Sequence, residues 1–214
     1  LEAARSETQR LCRLHPTQPA LFNLLGVILA RQDRREDAVG QLREALRIEP
    51  GFNDALSNLA SLLHEMGRDA ESVRCYQELV KRGEQSAELY NGLAQALRGA
   101  GLFEDGLEAC RRALALRPAY PDALNSLGNL LNEVGRHAEA IEAYERAVEL
   151  DAGHGKALIN LAQSLHTLRR HNAALKYLGR YLEKTPKDAL ALRLAANSLL
   201  GIGQSTAARE KLEA

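Results

Sequence analysis

The sequence predicts an all-α protein made of stacked helix pairs, and three observations predict it. Composition is the first: Ala, Leu, Glu and Arg dominate long stretches, aromatic residues make up 4% and tryptophan is absent, a balance that favours helix over sheet. The second is local periodicity, as in "LNSLGNLLN", where Leu124, Leu127 and Leu131 recur at the spacing of one helical face. The third is a repeat of 34 residues through the whole chain. Stepping by 34 from Leu127-Gly128 gives Leu25-Gly26, Leu59-Ala60, Leu93-Ala94, Leu161-Ala162 and Ala195-Ala196, the second member always Gly or Ala. Three residues after that member stands a leucine each time: Leu29, Leu63, Leu97, Leu131, Leu165 and Leu199.

Taken in order, residues 1–18 read as the second helix of a preceding unit, with Ala4, Leu11 and Pro16 in register. Full units follow at 19–52, 53–86, 87–120, 121–154 and 155–188, and 189–214 is a truncated unit that stops inside its second helix. Each second helix carries its own small residue: Ala38, Ser72, Gly106, Ala140, Ala174 and Ala208. Two small positions per unit let the paired helices approach closely, because ridges enter grooves only where side chains are short. Gly67, Gly101, Gly135 and Gly203 separate the two helices of their units, at a left-handed C-cap that suits glycine. Asp33 and Arg169 stand there in two units; Asp tolerates that backbone, whereas Arg169 is expected to be slightly strained. Pro16, Pro50, Pro118 and Pro186 stop the second helices of four units, with Glu84 and Ala152 in the remaining two.

Composition also excludes function classes. With 28 basic and 28 acidic side chains there is no net charge to steer the chain toward nucleic acid or a membrane surface. No apolar run reaches the roughly 18 residues of a membrane span. Cys12, Cys75 and Cys110 are widely spaced with no CxxC pair, so they read as small buried hydrophobes rather than disulfide, metal or redox groups. That usage gives the expectation of a reducing, cytoplasmic location. His64-Glu65 lacks the second histidine of a HExxH motif. His154, His166 and His171 do not share one helical face, and "GIGQST" at 201–206 lacks the lysine of a phosphate loop. No catalytic residue, metal or cofactor is expected within the chain.

One stripe does invite a function. Asn125, Asn129 and Asn132 fall at i, i+4 and i+7, off the leucine face, in a helix that pays in propensity to carry them. Such a stripe faces water or something that wants amides. The equivalent positions are Asp54, Ser57, Ser61 and His64 in the second unit, with Asn58 alongside, and Glu88, Asn91, Gln95 and Arg98 in the third. In the fifth they are Lys156, Ile159, Gln163 and His166, with Asn160 adjacent; the first has Ala20, Asn23, Val27 and Ala30, the sixth Leu190, Arg193, Asn197 and Leu200. A merely solvated helix face would more often carry Lys and Glu. An amide both donates and accepts, so a ladder of amides can pair with the backbone of an extended peptide. The candidate groove is therefore Asn23, Asn58, His64, Asn91, Gln95, Arg98, Asn125, Asn129, Asn132, Asn160, Gln163, His166 and Asn197.

The repeat resembles the tetratricopeptide repeat family, whose unit is a 34-residue helix-turn-helix. The family's aromatic near the start of the first helix is kept as Phe22 and Tyr90 and is Leu56, Leu124, Leu158 and Leu192 elsewhere. The resemblance implies a right-handed superhelix spanning 1–214 as one nearest-neighbour-stabilised domain, first helices lining the concave surface. It implies noncovalent capture of a protein or extended peptide by a scaffold or adaptor. The chaperone-tail subclass uses Lys and Arg beside Asn; its lysine position here holds Asn23, Ser57, Asn91, Asn125, Ile159 and Arg193, so that clamp is not matched. The amide-rich groove is more similar to the repeat arm of O-linked N-acetylglucosamine transferases, which implies a rival reading: a substrate-presenting arm of a group-transfer enzyme. In the sixth unit Leu190, Leu192, Leu194, Leu199, Leu200 and Ile202 surround the first helix, and a helix apolar on all sides expects burial on all sides. The natural chain is thus expected to continue past 214; otherwise the apolar end becomes a self-association surface of a homo-oligomeric assembly protein.

Overall fold

The computed structural model describes residues 1–213 and contains thirteen α-helices and no strand among them. In chain order they are α1 (Glu2–Leu14), α2 (Pro19–Arg31), α3 (Arg35–Ile48), α4 (Asn53–Glu65), α5 (Asp69–Lys81), α6 (Ala87–Gly99) and α7 (Phe103–Leu116). Then come α8 (Pro121–Glu133), α9 (His137–Leu150), α10 (Gly155–Thr167), α11 (His171–Lys184), α12 (Ala189–Gly201) and α13 (Ser205–Glu213). The protein is an all-α helical-repeat solenoid. Its contacts cluster into two compact units, Leu1–Ala109 and Cys110–Ala214.

The turns explain where helices stop. Gly67, Gly101, Gly135 and Gly203 all have positive φ, between 72° and 80°, and Asp33 (59°) and Arg169 (57°) adopt the same left-handed backbone. Arg169 therefore carries the expected strain, since a Cβ disfavours that region. Gly83 adds a turn that proline spacing did not announce. Where other units close on proline, α5 ends with Gly83 at φ 88°, its N–H donating to Val80 O and Glu84 N–H to Leu79 O. At the starts, Pro19 and Pro121 occupy the first turn of α2 and α8. Ser86 and Asp188 cap α6 and α12 by accepting Leu89 N–H and Ala191 N–H, and His154 Nδ1 accepts Ala157 N–H for α10.

In the first unit each helix packs on the next from α1 to α6, and first helices also touch the next first helices, α2 on α4 and α4 on α6. The small residues meet as expected: Ser72 Oγ, fully buried, donates to Ala60 O at 2.7 Å. A Cβ on Gly26 would fall 2.8 Å from the Leu42 side chain, so glycine is what admits that leucine. Leu25, Leu29, Val39, Leu42, Leu59 and Leu63 form the core there.

The second unit repeats the scheme, from α8 through α13 in succession, with α8 on α10 and α10 on α12. A Cβ on Gly128 would fall 2.5 Å from the ring of Tyr144, which is buried beneath it. Ala162, Leu178, Ala191 and Ala195 join α10, α11 and α12, and Ala196, Leu199 and Ala208 join α12 to α13. The sixth first helix is not buried all round: Leu190 and Leu200 are 53% and 52% exposed, while Ala191, Ala195, Ala196, Ser198 and Leu199 are buried. Cys12 and Cys110 are buried and Cys75 half-buried, all free, and burial pushes the Cys110 thiol up to about 12. No helix among the described residues is long and apolar enough to cross a membrane.

Candidate functional site

The amides of the second unit face one another. Asn160, on α10, donates both hydrogens of Nδ2 across to α8, to Asn125 Oδ1 and to Asn129 Oδ1, each at 3.0 Å. Asn129 Oδ1 also accepts the hydroxyl of Tyr144 at 2.7 Å, so both its lone pairs are used. Asn132 Nδ2 donates to Tyr144 Oη at 3.2 Å and to Ser164 Oγ of α10 at 2.9 Å. Its Oδ1 is left to accept His137 Nδ1–H at 3.0 Å, which fixes that imidazole's tautomer. The first helices α8 and α10 are thereby tied directly by side-chain rungs, with Tyr144 of the intervening α9 joined to them.

This answers why α8 tolerates three asparagines. Asn125 is only 6% exposed, and a buried amide is stable only when bonded. Bonding within the network leaves a specific remainder. Among the described residues Asn125 Nδ2, Asn129 Nδ2 and Asn160 Oδ1 take no partner, and none of them is sealed from solvent. Two amide donors and one acceptor, held rigidly by bonds on their other sides, line α8 and α10. Gln163 is exposed on α10, and Asn197 is exposed on α12. His166 Nδ1 lies 2.9 Å from Ser198 Oγ, a third link between first helices, α10 to α12.

In the first unit the same positions build something different. Asn58 Nδ2 donates to Asn23 Oδ1 at 2.8 Å, the same 35-residue step as Asn160 to Asn125. His64 Nδ1 pairs with Asp69 Oδ1 at 2.5 Å across the α4–α5 turn. Tyr76, the counterpart of Tyr144, shares a 2.9 Å hydrogen bond with Ser61. Burial pushes the Tyr76 phenol up, and the Ser61 bond partly opposes it. Ser57, Ser61 and Tyr76 border an open cavity of about 240 Å³ that Glu84, Ser86 and Glu88 also line. Asn91 is 7% exposed on α6, and its Oδ1 is buried without a hydrogen-bond partner; Gln95 and Arg98 are half-buried on the same helix. No group of three or more metal-ligating side chains occurs among the described residues.

A family model described as tetratricopeptide repeat matches residues 23–87, 57–121 and 91–155, and a second of the same description matches 131–198. The chain belongs to the tetratricopeptide repeat family. Among curated relatives, the probable biofilm formation methyltransferase WspC of Pseudomonas putida is 32% identical over 85 residues, 40% of this chain and 20% of that protein. The chain spans 14% to 23% of the length of the curated relatives it matches. Among solved structures, pilF of Pseudomonas aeruginosa superposes with a TM-score of 0.77 at 19% identity, covering 97% of this chain and 90% of that one. YrrB, a tetratricopeptide repeat protein with an unusual peptide-binding site, superposes with a TM-score of 0.63 at 18% identity, over 86% and 95% of the two chains. Both likenesses concern the fold.

Tetratricopeptide repeats make this chain a protein-interaction scaffold. Sequence reasoning about the repeat face found its polar residues and missed their partners: Tyr144, His137 and Ser164 for the amides of one unit, Tyr76 and Asp69 for Ser61 and His64 of the other. The signal was present as a tyrosine fifteen residues after Ser61 and again after Asn129, on the second helix of each pair.

Proposed function

We propose that this scaffold holds an extended protein segment against α8 and α10 through its main chain. The observation behind the reading is the unspent remainder of the amide network: Asn125 and Asn129 offer N–H donors, and Asn160 offers an acceptor. An extended peptide presents alternating C=O and N–H groups, so donors and an acceptor on neighbouring helices complement its backbone without requiring particular side chains. The bonds among the amides fix their rotamers beforehand, which lowers the ordering cost of binding.

The test separates binding from folding. Asn129→Asp keeps an oxygen to accept from Tyr144 and Asn160 while replacing the outward donor by an acceptor. With a random dodecapeptide display library as probe, wild-type protein is expected to enrich extended peptides of varied sequence. The N129D protein is expected to enrich them at least tenfold less with little loss of thermal stability. Equal enrichment by both proteins contradicts the reading.

A second reading has one observation behind it, the similarity to a protein named a probable methyltransferase, of which the matched region is a fifth. On this second reading the amide face of the present chain presents a polypeptide substrate to a group-transfer domain. The encoding gene read past codon 214 separates the two: an open frame into a catalytic domain favours the presenting arm, and a stop codon favours the free-standing scaffold.

A further inference from the structure

We propose that the contact of the fifth repeat with the sixth is an acid-released latch, in which protonation of the His166–His171 pair frees α12 and α13 from α10 and α11. The two imidazoles meet edge to face with centroids 5.0 Å apart, His166 at the end of α10 and His171 at the start of α11. Both rings also hold α12. His166 Nδ1 bonds Ser198 Oγ, and the His171 ring lies against the α12 backbone, where a Cβ on Gly201 would fall 2.5 Å from His171 Nε2. His171 Nδ1 is buried with no partner. An imidazolium carries two N–H donors, and burying one of them unbonded next to a second ring is costly. Charging the pair therefore favours a state in which α12 has moved off and water reaches the nitrogens.

The surrounding charges do not compensate. The α10–α11 turn brings Arg169 and Arg170, both exposed, and α11 brings Lys176. From α12 comes Arg193, and from α13 Arg209, Glu210 and Lys211, all exposed. Glu133 at the end of α8 is exposed, and α9 brings His137 and a Glu139 already paired with Arg136. Burial first and His171 second hold the His166 pKa below its ordinary 6.5. The sign follows: a histidine whose folded pKa is depressed contributes stability above its unfolded pKa and loses it as pH falls through the folded value.

Two other repeats show what the latch lacks. At the same positions the second repeat pairs His64 with Asp69, so a cation there meets a carboxylate. The fourth pairs Asn132 with His137, and Asn132 bonds Ser164 as His166 bonds Ser198. Only the fifth sets imidazole against imidazole. Asp69 also lies against a glycine of the next first helix, Gly99, as His171 lies against Gly201.

The experiment is amide hydrogen exchange by mass spectrometry at pH 7.5 and 5.5, with exchange times scaled for intrinsic chemistry. In wild type, segments within 189–211 are expected to lose protection by about tenfold or more at pH 5.5 while α8 and α9 hold theirs. His171→Asp imports the second repeat's pair and His166→Asn the fourth's; each is expected to keep protection within about twofold between the two pH values. H166N carries the comparison alone if H171D does not fold. Equal wild-type protection at both pH values, or the same loss in H166N as in wild type, overturns the latch.

Discussion

The paired helices around Tyr144 and those around Tyr76 occupy the same place in their repeats, yet one is a bonded network and the other borders a cavity. Tyr144 reaches Asn129 and Asn132, and Asn160 of the next first helix closes the circuit. Tyr76 reaches Ser61, and the residue corresponding to Asn160 is Gly92, where a Cβ would fall 2.5 Å from Tyr76 Oη. Four positions of the 34-residue period differ between the two, Asn125, Asn129, Asn132 and Asn160 against Ser57, Ser61, His64 and Gly92, and with them a bonded set of rungs gives way to an open polar cavity of about 240 Å³. The fold tolerates both because its apolar contacts, to nearest neighbours only, lie on the other faces of the same helices.

The sharpest way to break this contrast is Asn160→Ala. It removes two hydrogen bonds and leaves Asn125 Oδ1, on a residue 6% exposed, without its donor. Chemical denaturation is expected to show a loss of about 2–3 kcal/mol, against about 1 kcal/mol for Asn58→Ala, which removes one bond to the half-buried Asn23. Next come the tyrosines. Tyr144→Phe strips a hydroxyl that both donates and accepts, and is expected to cost about 1–2 kcal/mol; Tyr76→Phe removes one bond and is expected to cost about half as much. The smallest effect sharpens the comparison from the other side. Ser61→Asn gives Tyr76 the partner that Tyr144 has in Asn129, and is expected to stabilise by about 0.5 kcal/mol and to shrink the cavity in a structure of the variant.

Much of this was legible in the sequence. The Leu-small pairs and the turn glycines gave the helix pairs, since each encodes a local constraint: close helix approach or a left-handed backbone. Asp33 and Arg169 at positive φ followed from the repeat register alone. Gly83 did not, because its unit replaces proline closure by a glycine cap, and both devices end a helix. The amide positions could be read from the face they share, but their bonding could not. Whether Asn125 meets water or Asn160 depends on the offset between successive first helices, which a single helix's periodicity leaves open. The leucines of α12 could be counted but not assigned to neighbours, because apolar character around a helix does not say which side is covered, and Leu190 and Leu200 stay exposed.

The central claim is that the amides of the second unit hold one another before they hold anything else. A double-mutant cycle between Asn125 and Asn160, with alanine at each and at both, measures it directly by chemical denaturation. A coupling of about 1 kcal/mol or more is predicted, because the double variant removes the acceptor that the single Asn160→Ala leaves buried and unbonded. Additivity within about 0.3 kcal/mol would contradict it.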